Sequence, residues 1–257
     1  MGVDKWGFMK KKGLIVIGTV LILGITTIIT CGVIGVIEDN SGCEAGRQCA
    51  GSAETIVELP APEVSGGMRG ELGIDKNVNE TTIDRYLGRE DAVYRDMRML
   101  VDEANYEAIG GDSYLSGYVE GFEVIPFPLI VNVEGLPEAV GATYTGETLF
   151  TSKDGKITPN YRESMEILEY YFPKDKKIFL MCGGGGYAGM MKNLLVDLGW
   201  DESQIYNVGG YWYYDGEHNV PVKRNANGEA VYDFWKVPYH EIDFGCLHKL
   251  WRNWGLH

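Results

Sequence analysis

The sequence predicts an α/β protein: a parallel sheet with helices on both faces, preceded by an N-terminal transmembrane helix. Three observations lead to this prediction. Strand-like and helix-like segments alternate through the second half of the chain, a run of glycines separates one strand from the next helix, and an uncharged apolar stretch lies near the N-terminus. Alternating strands and helices form parallel sheets, which bind ligands at the carboxyl ends of their strands.

The apolar stretch covers residues 14–37 and is about as long as a bilayer-spanning helix, which needs roughly 20 residues. Lysines precede it, and Glu38 and Asp39 follow it. By the positive-inside rule, residues 1–13 lie in the cytoplasm. We therefore expect a single-pass anchor in the cell membrane, with the rest of the chain extracytoplasmic. A cleaved signal peptide, lipidation at Cys31 and a buried soluble helix fit the segment less well.

Residues 38–82 are rich in Gly, Ser, Glu, Asn and Pro, a composition typical of a flexible linker. Within this segment, Cys43 and Cys49 could close a small disulfide loop, stay free or pair between chains. The sequence does not decide among these states. Whether Cys182 ever meets Cys246 stays open for the same reason.

The elements of the folded region follow in order. Apolar spacing predicts strands or extended segments over 91–98, 124–127, 177–181 and 205–208, and helices over 161–172 and 187–198. The first helix ends before Pro173. The insertion 128–160 contains the turn-forming pair Asp154 and Gly155, so we expect a hairpin there. The tail 221–257 is expected to pack on the domain as a C-terminal extension; its tryptophans are Trp235, Trp251 and Trp254.

Cys182 lies where the strand 177–181 meets four consecutive glycines and a helix. The backbone N–H groups of such a loop, with the positive end of the helix dipole, favour a thiolate over a thiol. Cys182 is therefore the candidate catalytic nucleophile, with a pKa expected below the value of about 8.5 of a free cysteine. The alternative is a buried structural cysteine beside a turn. The four glycines favour a functional loop, because ordering them costs backbone entropy and a loop that only connects a strand to a helix gains nothing from that cost.

Charge and histidine spacing exclude other classes of function. Acidic residues outnumber basic ones, 37 to 23, for a formal net charge of −14. Without a basic patch to neutralise phosphates, no nucleic-acid partner is expected. The four histidines lack paired metal-ligand spacing, and Cys246 with His248 is a weak signal alone. The sequence therefore predicts neither a metal nor a cofactor.

Residues 83–220 resemble a rhodanese-like domain, the fold of the sulfurtransferases. The motifs that carry the resemblance follow the family's order: Asp96-Met-Arg98; Gly117 to Pro126, with Tyr118 in place of the usual histidine; Cys182 followed by Gly185; Leu198-Gly-Trp200; and Tyr206 to Gly210 with Trp212. The resemblance implies that Cys182 attacks a small sulfane-sulfur donor, holds the sulfur as a persulfide and passes it to a thiol acceptor. It also implies a substrate-binding loop made of Gly183, Gly184, Gly185, Gly186, Tyr187 and Ala188.

The loop departs from the family at its end, where Tyr187 and Ala188 replace an arginine and a serine or threonine. An arginine would supply a charged fork for an oxyanion such as thiosulfate, whereas tyrosine supplies a hydroxyl and an aromatic face. The related phosphatases depend on that arginine, so phosphatase chemistry is disfavoured. Two alternatives stay open: a catalytically inactive rhodanese-like binding module, and a thiol redox protein in which Cys182 forms a disulfide, with Cys246 as one candidate partner.

Two further expectations concern side chains near the loop. The aromatic segment 211–214 either walls the pocket above Cys182 or forms ordinary core. Arg98 is expected to pair with a carboxylate, and Asp96 is expected to accept hydrogen bonds at the end of its strand.

Overall fold

The structure is a computed structural model of the chain and describes residues 57–100, 115–134, 136, 140–141, 144–231 and 241–250. Its strands are β1 (Ala92–Asp96), β2 (Gly117–Val119), β3 (Glu123–Val124), β4 (Val131–Val133), β5 (Val140–Gly141), β6 (Tyr144–Thr145), β7 (Phe150–Lys153), β8 (Lys156–Pro159), β9 (Lys177–Cys182), β10 (Ile205–Gly210), β11 (Asn219–Pro221), β12 (Lys223–Arg224) and β13 (Ala230–Val231). The helices are α1 (Phe127–Ile130), α2 (Ser164–Tyr171) and α3 (Gly186–Asp197).

A parallel sheet in the order β10-β9-β1-β3 forms the centre of the domain. The predicted parallel α/β architecture is thereby confirmed. Successive side chains of a strand point to opposite faces of a sheet. Accordingly, Ile178, Leu180 and Cys182 belong to one core cluster, and Phe179 and Met181 belong to the other.

The two faces are covered differently. Buried residues of α2 and α3, among them Leu168 and Met191, pack with Leu180 on one face. On the other face, the described cluster comes from a 3-10 turn (Ile83–Tyr86), strand residues and neighbouring loops. The expectation of helices on both faces is therefore wrong for the α-helices that the structure describes. Stacked aromatic rings fill the second face: the ring centroids of Tyr94 and Tyr206 lie 5.0 and 5.1 Å from that of Phe179.

Most predicted elements lie within a few residues of the observed ones, and one segment differs. We expected 124–127 to be extended, but α1 begins at Phe127. Pro128 lies in its first turn, where a fixed φ favours a helix start. The predicted hairpin is confirmed as β7 and β8, joined by Asp154 at φ 51° and Gly155 at φ 71°. Positive φ at both residues is typical of a two-residue hairpin turn.

The segment 57–82, which we name the N-terminal arm, is folded, so the expected flexible linker is wrong for these residues, and the rest of that linker, 38–56, lies outside the described residues. Ile74 is 3% and Val78 is 0% exposed. The N–H of Asp75 donates to the carbonyl oxygen of Asn207 at 2.8 Å, so the arm covers part of the edge strand β10. The carboxylate of Asp75 closes the turn that follows it by accepting from the N–H groups of Asn77 and Val78, and it also accepts from the N–H of Glu63.

The C-terminal extension contacts the domain through residues 241–250. Ile242 joins the core cluster of α2 and α3, and the ring of Phe244 lies 5.7 Å from that of Tyr161. The N–H of Leu250 donates to the carbonyl oxygen of Asn160 at 2.8 Å. The three tryptophans expected to pack here, Trp235, Trp251 and Trp254, lie outside the described residues.

The expected membrane anchor, 14–37, and the cysteines Cys43 and Cys49 also lie outside the described residues. Within the part of the chain that the structure describes, no helix is both long enough and apolar enough to cross a membrane.

Candidate functional site

Strand β9 places Cys182 at the carboxyl end of the sheet, between β1 and β10. Cys182 is the last residue of β9 and pairs with Gly210 of β10. Its side chain is 3% exposed and joins the core cluster under α3. The chain turns through the glycines directly after it, and α3 begins at Gly186. The sulfur therefore lies at a strand end that is also a helix N-terminus.

Backbone N–H groups converge on the Cys182 sulfur. The N–H of Gly185 donates to Sγ at 3.0 Å, and the N–H groups of Tyr187 and Ala188 also bond to it. Burial nevertheless raises the pKa of Cys182 above its ordinary value, and the negative charge of Asp96 adds to this, while the three N–H groups oppose it. The expected pKa below that of a free cysteine is therefore wrong, because desolvation of the thiolate outweighs its hydrogen bonds.

Two glycines of the loop occupy positions that a side chain would obstruct. Gly185 has φ 104°, and a Cβ there would lie 2.8 Å from Cδ1 of Ile74. A Cβ on Gly183 would lie 2.5 Å from the indole ring of Trp212, and the backbone N–H of Trp212 donates to the Gly183 carbonyl oxygen at 3.2 Å. The same ring lies 3.4 Å from the Cβ position of Gly184. Trp212 thus packs directly on the loop, whereas Tyr211 and Tyr214 pack against the second core cluster.

Tyr187, the residue in place of the family's arginine, presents an aromatic ring to α1. Its ring stacks on Phe127 with centroids 5.6 Å apart and an interplanar angle of 29°. The side chain is half-buried and packs against the core cluster that contains Cys182, and the neighbouring Ala188 is fully buried. This position therefore contributes apolar contacts to the domain, and no fixed positive charge.

Arg98 and Asp96 form a buried ion pair at the end of β1. Arg98 Nε donates to Asp96 Oδ1 and Oδ2 at 3.0 Å each, and Nη2 donates to Oδ2 at 2.5 Å. Nη2 also donates to the carbonyl oxygen of Gly117 at 2.7 Å. The guanidinium covers the ring of Tyr211 at 4.1 Å. The expected structural roles of Arg98 and Asp96 are confirmed.

Sequence reasoning missed the polar residue Asn207. It is 0% exposed and lies in β10 between apolar neighbours. Its Nδ2 donates to the carbonyl oxygens of Leu72 and Gly185, at 2.8 and 3.1 Å, and its Oδ1 accepts from the N–H of Gly209 at 3.0 Å. An uncharged polar residue inside an otherwise apolar strand was the signal that could have identified it.

An ion pair of the N-terminal arm also went unpredicted. Arg69 pairs with Glu80, whose side chain is 5% exposed, and the Arg69 guanidinium lies 4.2 Å from the centre of the Tyr213 ring. A Cβ on Gly209 would lie 2.0 Å from Glu80 Oε2. The pair therefore packs directly on the end of β10. Its residues were assigned to the linker or its boundary, so no motif pointed to them.

The described residues offer no group of three His, Cys, Asp or Glu side chains that could hold a metal ion. His218 contacts Glu120 at 3.3 Å and His248 contacts Glu163 at 2.5 Å. Within the described ranges, Cys182 and Cys246 are both free. The Cys246 thiol is exposed and donates to Asp243 at 3.1 Å, which raises its pKa.

Comparison of the chain with protein-family models, with curated proteins and with solved structures yields no match.

Proposed function

We propose that this protein is a membrane-anchored, extracytoplasmic sulfurtransferase or persulfide carrier of the rhodanese-like type, with Cys182 as the nucleophile. One observation carries the proposal. The Cys182 sulfur lies at the carboxyl end of a parallel strand, where the N–H groups of Gly185, Tyr187 and Ala188 point to it. Such a ring of donors stabilises the negative charge of a thiolate or a bound persulfide.

The proposed reaction is an exchange of one sulfur atom and needs no oxidant. The Cys182 thiolate attacks the outer sulfur of a donor R–S–S⁻, the sulfur–sulfur bond of the donor breaks, and the electron pair leaves with R–S⁻. The loop then holds Cys182–S–S⁻. An acceptor thiolate attacks the terminal sulfur, forms its own persulfide and releases the Cys182 thiolate.

The composition of the site favours donors with little charge. Position 187 carries a tyrosine stacked on Phe127, and Trp212 covers the first two glycines of the loop. Arg98, the buried cation at the end of β1, is already bonded to Asp96. Persulfides and polysulfides therefore suit this loop better than thiosulfate, whose oxyanion favours a charged fork.

Two alternatives have observations in their favour. A catalytically inactive binding module accords with the tyrosine at 187 and with the burial that raises the pKa of Cys182. A thiol redox role needs a second cysteine, and Cys246 is a free, exposed thiol of the same domain. Both alternatives predict that Cys182 gains no sulfur atom from a sulfane donor.

The deciding experiment is the intact mass of the purified protein after exposure to a low-molecular-weight persulfide and, separately, to thiosulfate. Sulfur transfer predicts the added mass of one sulfur atom in the wild type, its absence in Cys182→Ser, and its removal by a thiol acceptor. Cys246→Ser serves as the matched control and should gain sulfur normally. A wild type that gains no sulfur from any donor contradicts the proposal.

A further inference from the structure

Asn207 joins three segments around the cysteine loop through one buried amide. Its Nδ2 donates to Leu72 of the N-terminal arm and to Gly185 of the loop, and its Oδ1 accepts from Gly209 of β10. A side-chain amide has two hydrogens on its nitrogen. One hydrogen is therefore committed to the arm and the other to the loop, and the group is 0% exposed to water.

Gly185 connects this amide to the sulfur. Its carbonyl oxygen accepts from Asn207 at 3.1 Å and from the N–H of Gly189 at 3.0 Å, the first hydrogen bond of α3. Its own N–H donates to Cys182 Sγ at 3.0 Å. Holding the carbonyl of Gly185 therefore holds the first turn of α3, whose N–H groups also point at the sulfur.

The arm docks on the same first turn. A Cβ on Gly189 would lie 2.1 Å from the carbonyl oxygen of Leu72, so the arm backbone lies directly against α3. Ile74 packs on Gly185, where a Cβ would lie 2.8 Å from Cδ1 of Ile74. Both contacts involve residues of the loop or of α3 that orient the donors to Cys182.

We infer that Asn207 is a positioning residue that couples docking of the N-terminal arm to the reactivity of Cys182. With the arm docked, both Nδ2 hydrogens are used and the Gly185 carbonyl is fixed. Release of the arm leaves a buried donor without its partner, a state that costs free energy and is relieved by movement of the loop. The inference rests on the proposed role of Cys182 as the nucleophile.

The test measures the rate at which iodoacetamide alkylates Cys182 in the full chain as a function of pH, followed by mass of the Cys182 peptide. Because only the thiolate reacts, the midpoint of this profile reports the pKa of Cys182. Asn207→Ala frees the Gly185 carbonyl and should raise the midpoint by about one pH unit, the size expected when the N–H of Gly185 no longer donates to the thiolate. Asn193→Ala, an exposed asparagine of α3, should leave it unchanged.

Gly189→Ala provides a second variant that keeps the amide of Asn207, because the added Cβ would meet the carbonyl oxygen of Leu72 at 2.1 Å and Nδ2 of Asn207 at 3.3 Å, so the arm must move. It should raise the midpoint in the same direction and make the arm more sensitive to limited proteolysis. A folded Asn207→Ala protein with the wild-type midpoint overturns the inference. Where Asn207→Ala does not fold, a wild-type midpoint in Gly189→Ala overturns it. Alkylation needs no sulfur donor, so a wild type that forms no persulfide would defeat the proposed function without deciding this result.

Discussion

The guanidinium of Arg98 lies 4.1 Å from the centre of the Tyr211 ring. Arg98 follows β1 and Tyr211 follows β10, the two strands on either side of β9. The contact therefore spans the end of the strand that carries Cys182. It links both neighbours of that strand, and Asp96, 0% exposed, compensates the charge of the guanidinium.

Removal of this cation should destabilise the domain strongly. Arg98→Ala leaves the buried Asp96 carboxylate without its partner, so we expect a loss of about 3–5 kcal/mol in the free energy of unfolding. Lys76→Ala is the matched control, because Lys76 and its partner Glu63 are 58% and 56% exposed, so this variant should lose far less stability. Urea unfolding of the two variants measures the difference. Equal losses would contradict the ion pair's role in stability.

Gly185→Ala should separate backbone strain from close contact. Gly185 and Gly199 have similar angles, φ 104° and 97°, but only the former has a neighbour within reach of an added Cβ, the buried Ile74. Both alanine variants should lose about 1–3 kcal/mol from the strained backbone. Gly185→Ala should lose more, and Ile74→Ala should return part of this excess in the double variant. Urea unfolding of the wild type, Gly185→Ala, Ile74→Ala and the double variant gives the coupling energy, and a zero coupling would refute the contact.

Tyr187→Arg tests the missing arginine of the loop. If that arginine serves to bind the oxyanion of the donor, the variant should turn over thiosulfate faster by about tenfold or more, since a charged hydrogen bond is worth roughly 1.5–3 kcal/mol. The variant must also stay folded, because replacing Tyr187 removes its stacking on Phe127 and lowers the free energy of unfolding. Tyr187→Phe keeps the stacking and controls for the hydroxyl. A well-folded Tyr187→Arg protein with unchanged thiosulfate turnover would contradict the prediction.

Ionisation of Cys182 should lower the stability of the protein as the pH rises. Because burial raises its pKa, the unfolded chain releases this proton at a lower pH than the folded protein does. Above about 8.5 the unfolded state thus binds fewer protons, and stability falls as pH rises towards the folded-state pKa. Cys182→Ala should lack this part of the fall. Tyr161 and Tyr206, with pKa values raised to about 12, add the same trend at higher pH in both proteins. Urea unfolding from about pH 7 to 10 measures this difference, and the prediction is wrong if the wild type and Cys182→Ala lose stability equally as the pH rises.

Membrane topology can be read from Cys246, which is exposed, better than from Cys182, which is 3% exposed. A span over 14–37 with an extracytoplasmic domain predicts that full-length protein sediments with membranes. It also predicts that a membrane-impermeant thiol reagent labels Cys246 in intact cells, detected on its peptide. Labelling only after lysis would place the domain in the cytoplasm. Cys246→Ser identifies the labelled site.

Local patterns in the sequence determined the parallel sheet and its cysteine. Apolar runs and glycines predicted β9, α3 and the loop between them, and Asp154 with Gly155 predicted the hairpin turn, because backbone preferences of neighbouring residues decide such features. The Arg98–Asp96 pair was also predictable, since its two residues stand close together in the chain. Composition, by contrast, assigned the N-terminal arm to a linker.

Only the tertiary structure decided how the site is supported. The contacts of Asn207 with Leu72 and of Gly185 with Ile74 join residues far apart in the chain, and no local pattern encodes them. The pKa of Cys182 likewise depends on how far the folded domain removes the sulfur from water. The sequence showed the donors of the loop but not the burial that opposes them, and desolvation of a charged group is a property of the whole fold.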